Sequence, residues 1–265
     1  MTARRRLDAE LVRRGIAASR EEAQEAIVAG RVLVDGAPAL KAARMVGAGE
    51  QVVLTAPARR FVGRGGEKLE GALDAFAIDV TGRVALDAGA STGGFTDCLL
   101  QRGAASVVAV DVGYGQLHER IRADPRVVVR ERTNIRDVVL DEPVDLVVAD
   151  LSFVSLGRVA AALVGANAAP HADVVLLVKP QFEAGKAEAD KGRGVIRDPS
   201  VWRRVLGEVR SALEAQEAAM IGVMVSPITG ADGNVEFLAH VRAHDQGPSI
   251  TDDRLDAIVD EARDR

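Results

Sequence analysis

The sequence predicts an α/β chain: a doubly wound sheet of mostly parallel strands, preceded by a small α+β unit. From residue 83 onward, short apolar runs rich in β-branched residues alternate with helical stretches, the pattern of strands buried on both faces and joined by crossover helices. The first sixty residues instead read as two short helices followed by brief strands and turn signals. Charge divides the chain in the same place. Residues 1–64 hold 12 Lys or Arg against 7 Asp or Glu, so the balance of the chain's 34 basic and 39 acidic residues leaves the rest acidic. A basic module on an acidic body suggests a polyanion-binding part joined to a part that does other work.

In the first unit, Leu7, Leu11 and Val12 share one face of a helix that Gly15 ends. Ser19 caps a second helix, with Glu22 completing a capping-box pattern and Ala23, Ala26 and Ile27 supplying its apolar side. Val32–Val34 is a strand entering an Asp35-Gly36 turn, and Val52–Leu54 is another. Arg4, Arg5, Arg6, Arg13, Arg14 and Arg20 cluster at the helical end as candidate polyanion contacts; a solvated helix face is the alternative. The spacing predicts a domain over 1–58, a Gly- and Pro-containing linker over 59–66 and a second domain over 67–265. Within that domain the predicted strands are Val84–Asp87, Val107–Asp111, Val127–Arg130, Leu146–Asp150 and Val174–Lys179, closed by Ile221–Val225 and Val235–Val241. Leu117–Arg122, Leu156–Val164 and Val201–Leu213 are the predicted crossover helices, and the acidic tail after Gly247 receives no role.

Composition narrows the function classes. With 48% hydrophobic and 28% charged residues the chain is globular. No apolar run reaches the ~18 residues of a membrane span, and the basic start has no apolar stretch of a secretory leader behind it. The one cysteine, Cys98, cannot form an internal disulfide, so a cytoplasmic location is expected. His240 and His244 lack further ligands beside them, and no metal is expected.

The first strand of the second domain ends in Asp87 and runs into Gly89-Ala90-Ser91-Thr92-Gly93-Gly94, and Asp87 and these six residues are candidate cofactor contacts. The glycines let backbone turn sharply and approach a ligand. Asp111, at the end of the next strand, suits hydrogen bonds to ribose hydroxyls. The glycine spacing does not match G-x-G-x-x-G, which receives a dinucleotide pyrophosphate. A ligand with an adenosine ribose and no phosphate fits better, and S-adenosyl-L-methionine (SAM) is the expected cofactor; a strand–helix turn without ligand is the alternative. Asn134 is a candidate adenine contact or a turn residue.

Two strand ends carry polar residues that a structural strand does not need, Asp150 in LVVADLSF and Lys179 in VVLLVKPQF. In open α/β sheets, chemistry sits outside these carboxyl ends. The pair faces one pocket, as catalytic groups or as a structural salt bridge. Lys68 in GRGGEKLEGAL and Glu236 in SPITGADGNVEF also follow glycine-rich turns. A second lysine near Lys179, together with desolvation, would favour a neutral amine able to abstract a proton. Asp150–Phe153 (DLSF) also echoes the D-P-P-Y/F motif of amino-methyltransferases without its prolines, so base N-methylation is an alternative. A non-catalytic RNA-binding ribosome factor is another.

Two resemblances extend this reading. RLDAELVRRGIAASREEAQEAIVAGRVLVDG resembles the small RNA-binding domain first described in ribosomal protein S-four. The order Lys68–Asp150–Lys179–Glu236 resembles the tetrad of RNA 2′-O-methyltransferases of the heat-shock rRNA methyltransferase type. With RGGEKL, DAGASTGGFTDCLL, DVGYGQL, ERTNIRD, ADLSFVSL, LVKPQFE and GADGNVEF, the chain resembles the TlyA (haemolysin A) family of bacterial rRNA (cytidine-2′-O)-methyltransferases over nearly its full length. The resemblance implies a Rossmann-like SAM-dependent methyltransferase domain and ribosomal RNA or ribosomal subunits as partners. It implies a catalytic role for the four tetrad residues: Lys179 takes the 2′-proton or stabilises the oxyanion, Asp150 orients it, and Lys68 and Glu236 set local charge and hold the ribose.

Overall fold

The computed structural model describes residues 4–17, 19–55, 60–230 and 233–264. Contacts divide the chain into two units, Met1–Arg60 and Phe61–Arg265.

The first unit runs β1 (Arg5–Arg6), α1 (Leu7–Arg13), α2 (Arg20–Val28), β2 (Val32–Val34), β3 (Ala37–Pro38), β4 (Met45–Val46) and β5 (Val52–Leu54). The Ser19 hydroxyl accepts a hydrogen bond from the Glu22 backbone N–H at 3.1 Å, capping α2 as the spacing predicts. Asp35 and Gly36 both take positive φ, 51° and 79°, and close the β2–β3 hairpin. Leu7, Leu11, Ile27, Val32 and Val34 form its core.

Two carboxylates in this unit are buried. Asp8 accepts hydrogen bonds from Arg6, Arg20, Gln24 and the Ala9 N–H, and Glu10 accepts from Arg13 and Arg14. The guanidinium donors hold both acids well below the usual carboxylate range. Arg6, Arg13 and Arg20 keep about half of their side-chain surface exposed (47%, 53% and 57%), whereas Arg14, bonded also to the Gly47 and Glu50 carbonyls, keeps 20%. Arg4 bonds Glu50 and the Met45 carbonyl, and Arg5 is exposed. Four of the six arginines of the helical-end cluster, Arg6, Arg13, Arg14 and Arg20, thus hang on two internal acids.

The second unit contains α3 (Gly65–Ala75), β6 (Val84–Ala88), α4 (Gly94–Gln101), β7 (Ser106–Val110), α5 (Glu119–Arg122), β8 (Val127–Arg130), β9 (Val144–Ala149), α6 (Ala160–Val164), β10 (Ala168–Val178), α7 (Pro180–Glu183), α8 (Lys186–Lys191), α9 (Pro199–Glu214), β11 (Ala219–Val225), β12 (Phe237–Arg242) and α10 (Asp252–Arg263). Its seven strands lie in the order β11-β12-β10-β9-β6-β7-β8. β6 to β10 are mutually parallel, and β12 is antiparallel to both β10 and β11, so the sheet is mixed. Strand order reverses between β6 and β9, where such sheets open a crevice at their carboxyl ends. One face, with Ala85, Leu146, Val148 and Val175, packs on Leu69 and Leu73 of α3 and Leu99 of α4. The other, with Leu86, Val147, Val174 and Leu176, packs on α9 and α10.

Two regions differ from expectation. Residues 61–66, read as linker, belong to the second unit: Phe61 is buried in its core, the Val62 N–H donates to Asp97 Oδ2 at 2.8 Å, and α3 begins at Gly65. Their glycines suggested slack, but they serve close packing. The acidic tail after Gly247 contains α10, whose Leu255, Ile258 and Val259 are buried in the core while Asp252 pairs with Arg203 and Arg210. Cys98 is buried in α4.

Asp87 in β6 is fully buried and accepts a 2.6 Å hydrogen bond from the Thr96 hydroxyl, while its Oδ1 has no hydrogen-bond partner among the described residues. Burial is the main reason its pKa is pushed up to about 7. In an unfolded chain it would ionise near the ordinary range of ~4. Across that window unfolding releases a proton, and the stability the neutral acid contributes is lost as pH rises. Asp87→Asn keeps the shape and removes the ionisation. Denaturant unfolding at pH 5 and pH 7.5 should show the wild type losing stability relative to Asp87→Asn, on the order of a few kcal/mol; parallel pH dependence of the two proteins would refute it.

Candidate active site

The loop leaving β6 is shaped by one close approach. Gly89 sits at φ +88°, and a Cβ there would lie 2.5 Å from the Asp150 carbonyl oxygen. Only glycine fits, and the two strand ends meet as backbone against backbone. The Gly89 and Ala90 N–H groups both donate to the Val110 carbonyl, at 2.8 and 3.1 Å. Asp111, following β7, accepts from the Ser91 N–H through Oδ2 (2.8 Å) and from the Gly113 N–H through Oδ1 (2.6 Å). Each carboxylate oxygen has a second lone-pair direction to offer a ligand.

A cavity of about 420 Å³ opens here, lined among others by Gly89, Ser91, Asp111, Asn134, Asp150 and Phe153. That size suits a small-molecule ligand. Ala90, Thr92 and Gly94 line a smaller recess beside it, shared with Gly65 and Asp150. Asp87 and Gly93 line neither. Asp87 lies beneath the loop, and Gly93, at φ +92° as N-cap of α4, packs where a Cβ would meet Leu117 at 2.9 Å. Asn134 Oδ1 accepts from the Arg136 N–H at 3.1 Å, so the residue caps a turn and lines the cavity as well. The glycine pairs meet: a Cβ on Gly94 would come within 3.0 Å of the Gly66 N and 3.1 Å of the Gly63 carbonyl oxygen. The start of α3 is thereby seated against the start of α4.

That contact sets Lys68, one helical turn on. Its Nζ lies 2.5 Å from Glu236 Oε2, with both side chains buried. Lys179 Nζ lies 2.5 Å from Asp150 Oδ1 as an ion pair and donates to Ser152 Oγ at 3.0 Å. Strand pairing explains the assembly. Val178 pairs with Phe237 in β10–β12, so Lys179 and Glu236 are the next residues beyond that ladder. Leu176 pairs with Ala149 in β10–β9, so Asp150 leaves the adjacent strand at the same end. All four tetrad residues therefore gather at one end of the sheet, as two carboxylate–lysine pairs. Trp202 packs edge-on against Phe237, 6.1 Å between ring centres, and anchors the strand that carries Glu236.

Sequence reasoning missed Ser152, and passed over Phe153, Gly113, Gln116, Thr133 and Arg136 as cavity-lining residues. Phe153 carried the clearest signal, an aromatic beside Asp150; it is 90% exposed at φ +64°, with its ring 4.9 Å from that of Phe182. His240 is engaged by Asp173 at 2.7 Å and by the Phe76 ring, and His244 Nε2 lies 3.1 Å from the Ala168 carbonyl oxygen. Among the described residues no cluster of His, Cys, Asp or Glu is arranged for a metal ion, and no helix is long and apolar enough to cross a membrane.

Comparison with known proteins agrees with this geometry. Residues 61–243 match the FtsJ-like methyltransferase family and residues 5–52 match the S4 domain. The chain is 55% identical over 247 residues, 91% of each protein, to the 16S/23S rRNA (cytidine-2′-O)-methyltransferase TlyA of Mycobacterium tuberculosis. It is 38% identical to Hemolysin A of Brachyspira hyodysenteriae, over 89% of this chain and 98% of that one. A solved Streptococcus thermophilus structure that carries the hemolysin name superposes with a TM-score of 0.74 at 35% identity, covering 100% of this chain and 97% of that one. A mixed sheet with its crevice at the β6–β9 reversal, an S4 domain ahead of it and relatives matched over nearly their whole length have one reading: the chain belongs to the TlyA family of FtsJ-like methyltransferases.

Proposed function

We propose that this protein transfers the methyl group of SAM to the 2′-hydroxyl of a cytidine ribose in ribosomal RNA of both subunits, working in the cytoplasm. The observation that carries the reading is the pair of lysine–carboxylate contacts, Lys68–Glu236 and Lys179–Asp150, gathered at the sheet end where Asp150 lines a cavity that also presents Asp111. The name of the M. tuberculosis relative, a 16S/23S rRNA (cytidine-2′-O)-methyltransferase, supports the choice of cytidine and of both subunits.

SAM, when bound, supplies an electrophilic methyl group on its sulfonium. The residues here fit it. Asp111 has free lone pairs for ribose hydroxyls, and the Gly89 turn admits a ligand against the backbone. Asn134 stands on the same wall. Lys179 is the group assigned to the 2′-proton: its ion-pair contact with Asp150 and its hydrogen bond to Ser152 orient the nitrogen, whose lone pair, in the neutral amine, would accept the proton of a substrate hydroxyl. Lys68 and Glu236 set the charge beside it and hold the ribose. The enzyme thus contributes positioning and electrostatics. Arg4, Arg5, Arg6, Arg13 and Arg20, with guanidinium surface still exposed, are assigned to RNA phosphates; Arg14 is largely occupied within the unit.

Asp111→Ala should weaken SAM binding by about 1.5–3 kcal/mol through loss of charge-assisted hydrogen bonds; unchanged affinity by calorimetry would remove Asp111 from the site. Deleting residues 1–60 should spare SAM binding and lower affinity for subunits, with the log–log salt slope falling by about 0.7–0.9 per lost phosphate contact. Full-efficiency methylation by the truncated protein would rule out that role. Lys179→Arg keeps the charge but places a guanidinium that does not deprotonate. Both Lys179→Arg and Lys179→Ala should lose about 10²–10⁴ in single-turnover rate, with SAM and RNA affinity retained. A Lys179→Arg rate near wild type would show that charge alone suffices. Normal transfer by both variants would return base N-methylation to the front, and no transfer by the wild type would leave an RNA-binding factor.

A further inference from the structure

A lysine amine swings on a flexible four-carbon stem, so its direction is only as fixed as the groups it contacts. Both polar partners of Lys179, Asp150 and Ser152, belong to the segment after β9. Residues 151–155 there are neither helix nor strand. The segment also holds Phe153 at φ +64°, a conformation a bulky residue keeps only when its surroundings impose it.

The restraint comes from the helix that follows Lys179. Glu183 closes the single turn of α7, its N–H donating to the Lys179 carbonyl at 3.2 Å. Its carboxylate reaches back to the β9 segment, where Oε2 accepts from the Ser155 hydroxyl at 2.7 Å and Oε1 from the Leu156 N–H at 2.9 Å. Between these contacts and Lys179–Ser152, the Phe182 and Phe153 rings pack together. The two segments are therefore fastened together at Lys179 and again at Glu183. Burial pushes the Glu183 carboxyl up, while Leu156 and Ser155 favour its ionised form.

We propose that Glu183 is a positioning residue for methyl transfer: by holding Ser155 and Leu156 it sets residues 151–156, and with them Asp150 and Ser152, against the Lys179 amine. The inference rests on the reading of Lys179 as the group that meets the substrate hydroxyl. Glu183→Ala removes both acceptors. Glu183→Gln retains both contacts, because its amide oxygen accepts from Leu156 and the Ser155 hydroxyl can turn to accept from the amide. Ser155→Ala removes one contact only.

The test uses two readouts on the full chain. In single-turnover transfer at saturating SAM and ribosomal subunits, Glu183→Ala should be slower by about 10–100-fold, the scale of a misplacement near 1 Å. Glu183→Gln should stay near the wild-type rate, Ser155→Ala should fall between, and the dissociation constants for SAM and subunits should not move. In trace labelling with acetic anhydride read by mass spectrometry, Lys179 should react several-fold faster in Glu183→Ala and as in wild type in Glu183→Gln. A wild-type transfer rate in Glu183→Ala overturns the proposal, as does a Glu183→Gln rate as low as that of Glu183→Ala. If Glu183→Ala does not fold, an unchanged rate in Ser155→Ala overturns it. If the wild type itself methylates no 2′-hydroxyl, the functional reading fails separately, and unchanged Lys179 labelling in Glu183→Ala then overturns the positioning role.

Discussion

Two lysines at the carboxyl end of the sheet are almost wholly buried, at 6% exposure for Lys68 and 7% for Lys179. An isolated ammonium in such a place costs several kcal/mol, and an apolar environment offers nothing in return. Each therefore lies against a carboxylate, and those carboxylates come from other parts of the chain: Glu236, just before β12, for Lys68 on α3, and Asp150, just after β9, for Lys179, just after β10. Much of the second unit meets the geometric demand this makes. β10 must sit between β9 and β12, in registers that end together, and α3 must cross close enough for a lysine on its second turn to reach β12. Compensation of charge makes the site a property of the whole sheet.

The glycines serve the same end at shorter range. Gly63, Gly65 and Gly66 at the start of α3 press against Gly94 and Phe95 at the start of α4, where side chains would hold the helices apart. Gly89 does the equivalent between the β6 and β9 ends. Close backbone contact brings the cavity wall and the strand end that carries Asp150 together. In the first unit the buried Asp8 and Glu10 play a comparable part for the arginines, holding guanidinium groups in place while leaving surface on them exposed.

Much of this was legible in the amino-acid order, for identifiable reasons. Buried parallel strands must be continuously apolar, so a polar residue at the end of such a run, as at Asp150 and Lys179, stands out. Ser19 and Asp35-Gly36 were readable because caps and hairpin turns are set by two to four adjacent residues. What depends on distant partners was not. The tail after Gly247 reads as acidic and only weakly amphipathic, and nothing local shows that Arg203 and Arg210 meet Asp252 or that α10 joins the core. Asp87 read as a ligand contact from its place in the glycine loop, while its burial follows from α4 closing over it through Thr96. Residues 59–66 read as linker because glycines serve slack and tight packing alike. Ser152 gave no signal, since a serine in a loop matters here only for the lysine that folds onto it.

The position of β12 has a consequence for the order in which the molecule comes into being. It is the last strand in sequence, yet it lies between β10 and β11, both of which precede it. Until it inserts, those two strands present unpaired edges, the state in which sheets are open to wrong partners. The residue just before it is Glu236, and so Lys68 has no counter-charge until the same event. Closing the sheet and completing the electrostatics of the site are one step. A chain arrested short of it has neither a continuous sheet nor the carboxylate that faces Lys68.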